Sequence, residues 1–437
     1  MIYRFPYTWA GEIDTKLVAP CCVRGPAASE PEALDGQLRH APLATGVRTA
    51  LEAPVGAPPL GSMLHQVGAR RILILADDIT RPTPQRELMP ILIEYLLSAG
   101  IRAEDLTVLI ATGLHRPMRP NEIEDRFGRL GSDRIRVLNH DACDRTRLVQ
   151  FGTARDGTPI LVNGLVKEHD FILSVGAIAP HRIAGFSGGG KMVQPGICGE
   201  QITASIHWRG WQAEGETIYG VIENAIRREI ESVAAAAGLR FILNVVLDAS
   251  GKIRRCFAGD PLAAFRAGCK ESRRVAVVPT HPADIVVVDS HPFDLDFWQA
   301  CKAISVAELV VRRGGTIILV TPCPEGLSSH SGEIRKTGYL PKSEIEERVR
   351  SGSISNLAIA CHLMAVGRIL ERGQLLIVSP GLTADLLEQV GLGWAPDAMA
   401  AIETARRRLG AGADICLLSG GCSLIPELRA GGRINDH

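Results

Sequence analysis

The sequence predicts an α/β protein built from two α/β domains with mostly parallel sheets, and three observations carry that expectation. Short apolar, β-rich runs alternate with helical patterns, as parallel strands joined by crossover helices require. The runs fall into two series, separated by a proline-bearing stretch. At 437 residues the chain is also longer than a single core usually grows.

The first series is RILILA (71–76), LTVLIA (106–111), RIRVL (134–138) and FILSVG (171–176). These are short enough for strands and apolar enough to be buried on both faces. Between the first two, PQRELMPILIEYLLSAG (84–100) has apolar residues at helical spacing and a glycine just past its end, which makes a β-α-β unit. The second series is DIVVVDS (284–290), GGTIILVTP (314–322), QLLIVSP (374–380) and DICLLSG (414–420). A boundary within 272–283 gives an N-terminal domain of residues 1–273 and a C-terminal domain of residues 274–437. The Pro/Gly-rich stretch 53–62 reads as a loop.

Composition narrows the partner. Lys plus Arg equals Asp plus Glu at 48 each, so no overall field exists to hold a polyanion, and nucleic acid and anionic membrane are set aside for a small molecule. Eleven cysteines, an odd count with no C-x-x-C pair, fit no closed disulfide framework and point to a reducing cytoplasm. The adjacent Cys21 and Cys22 do not alter this. No apolar run approaches the roughly eighteen residues of a membrane span, and the N-terminus lacks a signal-peptide pattern.

Ligands of open parallel sheets collect beyond the carboxyl ends of the strands. There the sequence places DDITRPTP after the first strand, ATGLHRP after the second, and PHRIAGFSGGGKMVQPGI after the fourth. In the last, Gly185, Gly190 and Lys191 satisfy the first seven positions of the phosphate loop G-x-x-x-x-G-K-[ST], but Met192 has no hydroxyl for Mg²⁺. Gly188, Gly189 and Gly190 in succession cost backbone entropy that a plain turn does not demand, so close approach of the backbone to a ligand is expected. A desolvated lysine there can lose its proton and act as a nucleophile. An attachment lysine needs no Mg²⁺ ligand beside it.

His115 and His181 follow strand ends, and His207 lies further along in ASIHWRG. Histidines are more often structural than catalytic, and His40, His140 and His169 are read that way. Asp77, Asp78, Thr80 and Arg81 form a turn that either caps the next helix or uses Arg81 to hold a carboxylate or phosphate. Gln299 and Lys302 share one helical face, where an amide and an ammonium could grip a carboxylate; a solvated surface is the plain alternative.

Taken together, DDITRPTP, ATGLHRP, SVGAIAPHRIAGFSGGGKMVQPGI, His207 and QACKA resemble the lactate racemase family, the nickel-pincer-nucleotide-dependent racemases and epimerases of 2-hydroxy acids. Five motifs agree in order and spacing, over roughly residues 7–420. The resemblance implies two α/β domains with the active site in the cleft between them. It also implies a nickel-pincer nucleotide cofactor, pyridinium-3-thioamide-5-thiocarboxylic acid mononucleotide, tethered through Lys191, with His207 as the protein's nickel ligand. By the same resemblance His115 and His181 are the acid/base pair of C2 inversion by hydride transfer. Asp78, Thr80, Ser187, Gly188, Gly189 and Gly190 line the cofactor pocket, and Arg81, Gln299, Lys302 and Trp394 bind substrate. Cofactor-maturation enzymes become implied partners, and homo-oligomerisation is compatible with it. Trp298 stands where the family pattern has a tyrosine, and Trp394 is the counterpart of a pocket tryptophan, so lactate, malate, longer 2-hydroxy acids and sugar acids all stay open.

Two other chemistries fit less well. A zinc hydrolase wants ligands at helical spacing such as H-E-x-x-H, and none exists. A nucleotide-binding phosphotransferase or switch protein would use the SGGGK loop, but lacks its Ser/Thr and a second metal carboxylate.

Overall fold

The computed structural model describes residues 2–14, 23–24, 43–130 and 134–428; Cys21, Cys22 and His40 lie outside them. The chain divides into two compact units, Ala28–Gly210 with Gly220–Arg274, and Met1–Ala27 with Trp211–Tyr219 and Val275–His437.

The first unit is built on six strands: β1 (Ile72–Asp77), β2 (Leu106–Ala111), β3 (Arg136–Asn139), β4 (Phe171–Ala177), β5 (Leu239–Leu247) and β6 (Ile253–Gly259). Their order is 3-2-1-4-5-6, parallel except for the antiparallel β5–β6 edge. Every residue of β1 and β4 is buried, which is why both read as unbroken apolar runs. Helix α1 (Gln85–Ser98) places Leu88, Leu92 and Leu96 in one cluster with Ile72, Ile74 and Val108. Chain order reverses between β1 and β4, and at such a switch point the two strand ends diverge to leave a crevice. The unit also carries α2 (Glu200–Gln212), α3 (Ala225–Ala236) and α4 (Ala263–Ala276).

Strands β5 and β6 were not expected. Asn244 interrupts the apolar run of β5, and β6 carries Arg254 and Arg255, as suits an edge strand with one wet face. Residues 272–283, expected as a linker, are instead the end of α4 and a short strand, Val277–Thr280, paired parallel with Ile425–Leu428.

The second unit holds an all-parallel sheet of β7 (Ala283–Asp289), β8 (Val311–Val320), β9 (Gln374–Val378), β10 (Gly393–Trp394) and β11 (Ile415–Leu418), in the order 10-9-8-7-11, with Val23–Arg24 beside β11. The Ile2–Arg4/Glu12–Asp14 hairpin belongs here too. Tyr3 Oη donates to Ser419 Oγ (2.8 Å) and Tyr7 Oη to Asp294 (2.8 Å). A single cut between residues 273 and 274 therefore misassigns the N-terminal segment, whose strand completes the second sheet.

Helix α5 (Phe297–Ala307) follows β7 and is capped by Asp296, whose carboxylate accepts from Gln299 N–H (2.8 Å). Beside it, on α6 (Leu357–Leu370), His362 stacks on Trp298 (4.4 Å between centroids, 7° between planes) and accepts from Tyr339 Oη (2.7 Å). Burial, helped by repulsion from His330, pushes the His362 pKa down to about 3. The unfolded chain then takes up a proton here below about pH 6.5 while the folded unit stays neutral to about pH 3. Stability is thus full above pH 6.5 and falls as pH falls. By pH 5 this one group removes about 2 kcal/mol. Urea unfolding at pH 7 and pH 5 should show a smaller acid loss in His362→Phe than in wild type; equal losses would mean that His362 titrates normally in the fold.

Candidate active site

The functional residues of the first unit collect at the carboxyl ends of β1, β2 and β4. After β1 the two aspartates divide the two roles expected of the turn. Asp77 is structural: its carboxylate accepts from Thr83 Oγ1 (2.5 Å), Gln85 Nε2 (2.9 Å) and Arg126 Nη2 (2.5 Å), which ties the strand end to the start of α1. Asp78 faces the site. Its Oδ1 accepts from Thr80 N–H (3.0 Å) and Oγ1 (2.5 Å), and its Oδ2 lies 2.6 Å from His115 Nδ1. Arg81 Nη1 donates to Thr80 Oγ1 (2.7 Å). Burial alone would raise the Asp78 pKa, but His115, Arg81 and Thr80 together hold the carboxyl well below its usual range. An ionised Asp78 accepts the His115 Nδ1 proton and leaves Nε2 as the ring's basic nitrogen.

His181 is prepared the other way round. It sits on the short ladder Pro180–His181 with Gly185–Phe186, and its Nδ1 faces the N–H groups of Ile183 (3.2 Å) and Ala184 (3.4 Å). A neutral ring that accepts at Nδ1 carries its proton on Nε2, which is 3.1 Å from Lys191 Nζ. The two neutral rings thus carry their protons on different nitrogens.

Lys191 is 7% exposed and sits on a 3₁₀ turn, Gly189–Met192. Packing by itself gives each of the three glycines before it a reason. Gly188 and Gly189 have φ of +77° and +57°. A Cβ on Gly188 would meet Asn244 Oδ1 at 2.9 Å, on Gly189 Phe265 at 2.8 Å, and on Gly190 Ala234 at 3.0 Å. Ser187 staples the loop to β4, donating to Ala177 O (2.7 Å) and accepting from Ala179 N–H (2.9 Å). Two residues missed in the sequence complete the cradle. Asn244 accepts from Gly189 N–H (2.8 Å) and donates to Gly176 O (3.2 Å). The fully buried Arg227 donates to the carbonyls of Ala184 (3.1 Å), Phe186 and Gly188 (3.4 Å) while stacking on Phe265. A lone polar residue in the apolar run RFILNVV was a usable signal for Asn244; Arg227, in a polar helix stretch, gave none.

His207, on α2, has an Nε2 shut off from solvent with no hydrogen-bond partner among the described residues. Burial, then the charges of Lys191, His115 and Arg81, push its pKa down to about 3. The same charges place His207 among the residues already described. A buried, neutral and unpartnered imidazole nitrogen has the form a metal requires of a ligand. Among the described residues no three His, Cys, Asp or Glu side chains gather to hold a metal by themselves. His140 and His169 are structural: His140 bonds Cys198 O (3.0 Å) and Asn163 (3.2 Å), and His169 bonds Leu165 O (2.8 Å).

In the second unit, Gln299 is buried on α5 and its Oε1 accepts from Lys302 Nζ (2.5 Å), which also lies 4.1 Å over the Phe293 ring. Trp394 does not join them. It lies 43% exposed on edge strand β10, three strands from β7, a separation of roughly 14 Å at about 4.8 Å per strand. The tryptophan adjoining Gln299 is Trp298.

Fold and site together define an α/β protein of two units, with two histidines and a buried lysine placed after the carboxyl ends of one sheet's strands. Residues 35–217 match the lactate racemase N-terminal domain and residues 278–426 the lactate racemase C-terminal domain. The chain belongs to the lactate racemase family and is an isomerase. It is 30% identical over 390 residues to the lactate racemase of Lactiplantibacillus plantarum (87% of this chain, 90% of that one). To that of Thermoanaerobacterium thermosaccharolyticum it is 30% identical over 386 residues (87% and 89%). The apoprotein structure of the latter matches with a TM-score of 0.78 at 28% identity, over 88% of this chain and 92% of that one. A Thermotoga maritima protein shares the fold (TM-score 0.68, 21% identity, 85% and 96% covered). No helix among the described residues is long and apolar enough to cross a membrane, and the nine described cysteines are free thiols.

Proposed function

We propose that the protein inverts C2 of a 2-hydroxy acid in the cytoplasm, with lactate the first candidate and malate, longer or sugar acids the alternatives. The observation that supports the reading is the different setting of two imidazoles: His115 Nδ1 faces the Asp78 carboxylate, which suits Nε2 as a base, and His181 Nδ1 faces backbone N–H groups, which suits Nε2, beside Lys191, as an acid.

The first unit's residues fit a nickel-pincer nucleotide, made and loaded by maturation enzymes. Lys191 has the buried amine for a covalent tether and His207 the unpartnered nitrogen for nickel. When bound, that group supplies an electrophilic carbon that takes up and returns the C2 hydrogen with its electron pair. The chain's own part is proton handling and orientation. One histidine takes the substrate's hydroxyl proton and the other returns a proton when the opposite hand forms, so their roles exchange with direction. Arg81 is the first unit's cation suited to a substrate carboxylate, and Gln299 with Lys302 is the second unit's amide–ammonium pair suited to substrate.

The fate of the C2 hydrogen tests the reading. Racemisation in D₂O should give product with little deuterium at C2, because only the hydroxyl proton passes through a histidine. Solvent deuterium entering at each inversion would mean proton abstraction from carbon and end the hydride reading.

A further inference from the structure

Three buried polar groups without partners fall in one stretch of the first unit: the carboxamide of Gln194, the hydroxyl of Thr203 and Nε2 of His207. Gln194 and Thr203 are 0% exposed. Thr203 and His207 are four residues apart on α2, so they occupy one face on neighbouring turns, with Cβ atoms about 5–6 Å apart.

The hydroxyl of Thr203 is the telling one. A helical threonine has an acceptor within easy reach, the carbonyl one turn back. Here that carbonyl belongs to Gly199 and accepts the Thr203 N–H (3.2 Å), while the hydroxyl has no partner among the described residues. A hydroxyl that is shut off from water and turned away from its nearest acceptor is set for a partner that is not protein.

We infer that Thr203 is a binding residue for the group His207 ligates: its hydroxyl hydrogen-bonds a polar atom of that group one helical turn from the imidazole. The inference rests on the cofactor reading above and adds a reason for the second contact. Lys191 and His207 would hold that group at two points, and a hydrogen bond from the next turn of the His207 helix would add a third.

Thr203→Val keeps the shape and removes the hydroxyl, and Thr203→Ser keeps the hydroxyl. Each is made alongside the maturation enzymes, checked for the Lys191 adduct by intact mass and for nickel by elemental analysis, and then exposed to EDTA. Thr203→Val should lose nickel about 10- to 100-fold faster than wild type, with a shifted visible absorption band, while Thr203→Ser stays close to wild type. Made without the maturation enzymes, Thr203→Val should melt at or above the wild-type temperature, because it removes an unpaired buried hydroxyl. Wild-type nickel release and spectrum in Thr203→Val would overturn the inference, as would a lower melting temperature of its apoprotein, which would mark the hydroxyl as structural. Absence of adduct and nickel from wild type would remove the cofactor reading and this inference with it, and is seen before any variant is compared.

Discussion

Lys191→Ala, produced together with the maturation enzymes, is expected to carry no covalent adduct, whereas wild type shows one of nucleotide size by intact mass. The effect is all or none because one nitrogen makes the bond. An exposed lysine at neutral pH is almost wholly protonated and a poor nucleophile. Lys191 is buried, which disfavours its charged form, and its Nζ lies 3.1 Å from Nε2 of His181. The turn that aims it is over-determined by Asn244, Arg227 and the packed glycines, so the alanine variant should keep the loop and lose only the tether. An adduct that survives in Lys191→Ala would place the attachment elsewhere.

Alanine at either His115 or His181 is expected to slow racemisation in both directions by about 10²- to 10⁴-fold, roughly 3 to 5 kcal/mol of barrier. Both directions suffer because each inversion needs one ring as base and the other as acid. The two variants should differ in one respect. His115→Ala strips a buried carboxylate of its main partner and should also lower thermal stability, and His115→Gln, whose amide can still donate to Asp78, should recover the stability without the rate. Near-normal turnover in either alanine variant would make that histidine structural.

Much of this was legible in the sequence because buried parallel strands read as unbroken apolar runs and put their ligand-facing residues directly after them. β1, β2 and β4, with Asp78, His115 and Lys191 behind them, follow from that pattern alone. What stayed hidden was set by contacts between distant parts of the chain. The glycine run showed only a close approach, because sequence records that a Cβ is missing and not what fills its place; here Phe265, Ala234 and Asn244 fill it. Arg227 is invisible for the same reason, since its partners are three backbone carbonyls about forty residues away. Trp394 drew attention as an aromatic in a suitable order along the chain, but strand order put it on the far edge of its sheet.

The placement of Val23–Arg24 beside β11 has a consequence for biosynthesis. Those two residues leave the ribosome 394 positions (418 − 24) before the end of the strand they pair with, Ile415–Leu418. At about 5–20 residues per second the delay is roughly 20–80 s. Every strand of the first sheet emerges within that interval, so the unit bearing Lys191 and His207 can condense during translation, while the N-terminal segment waits for a sheet that does not yet exist. The nascent chain can thus complete its first unit before its second can close.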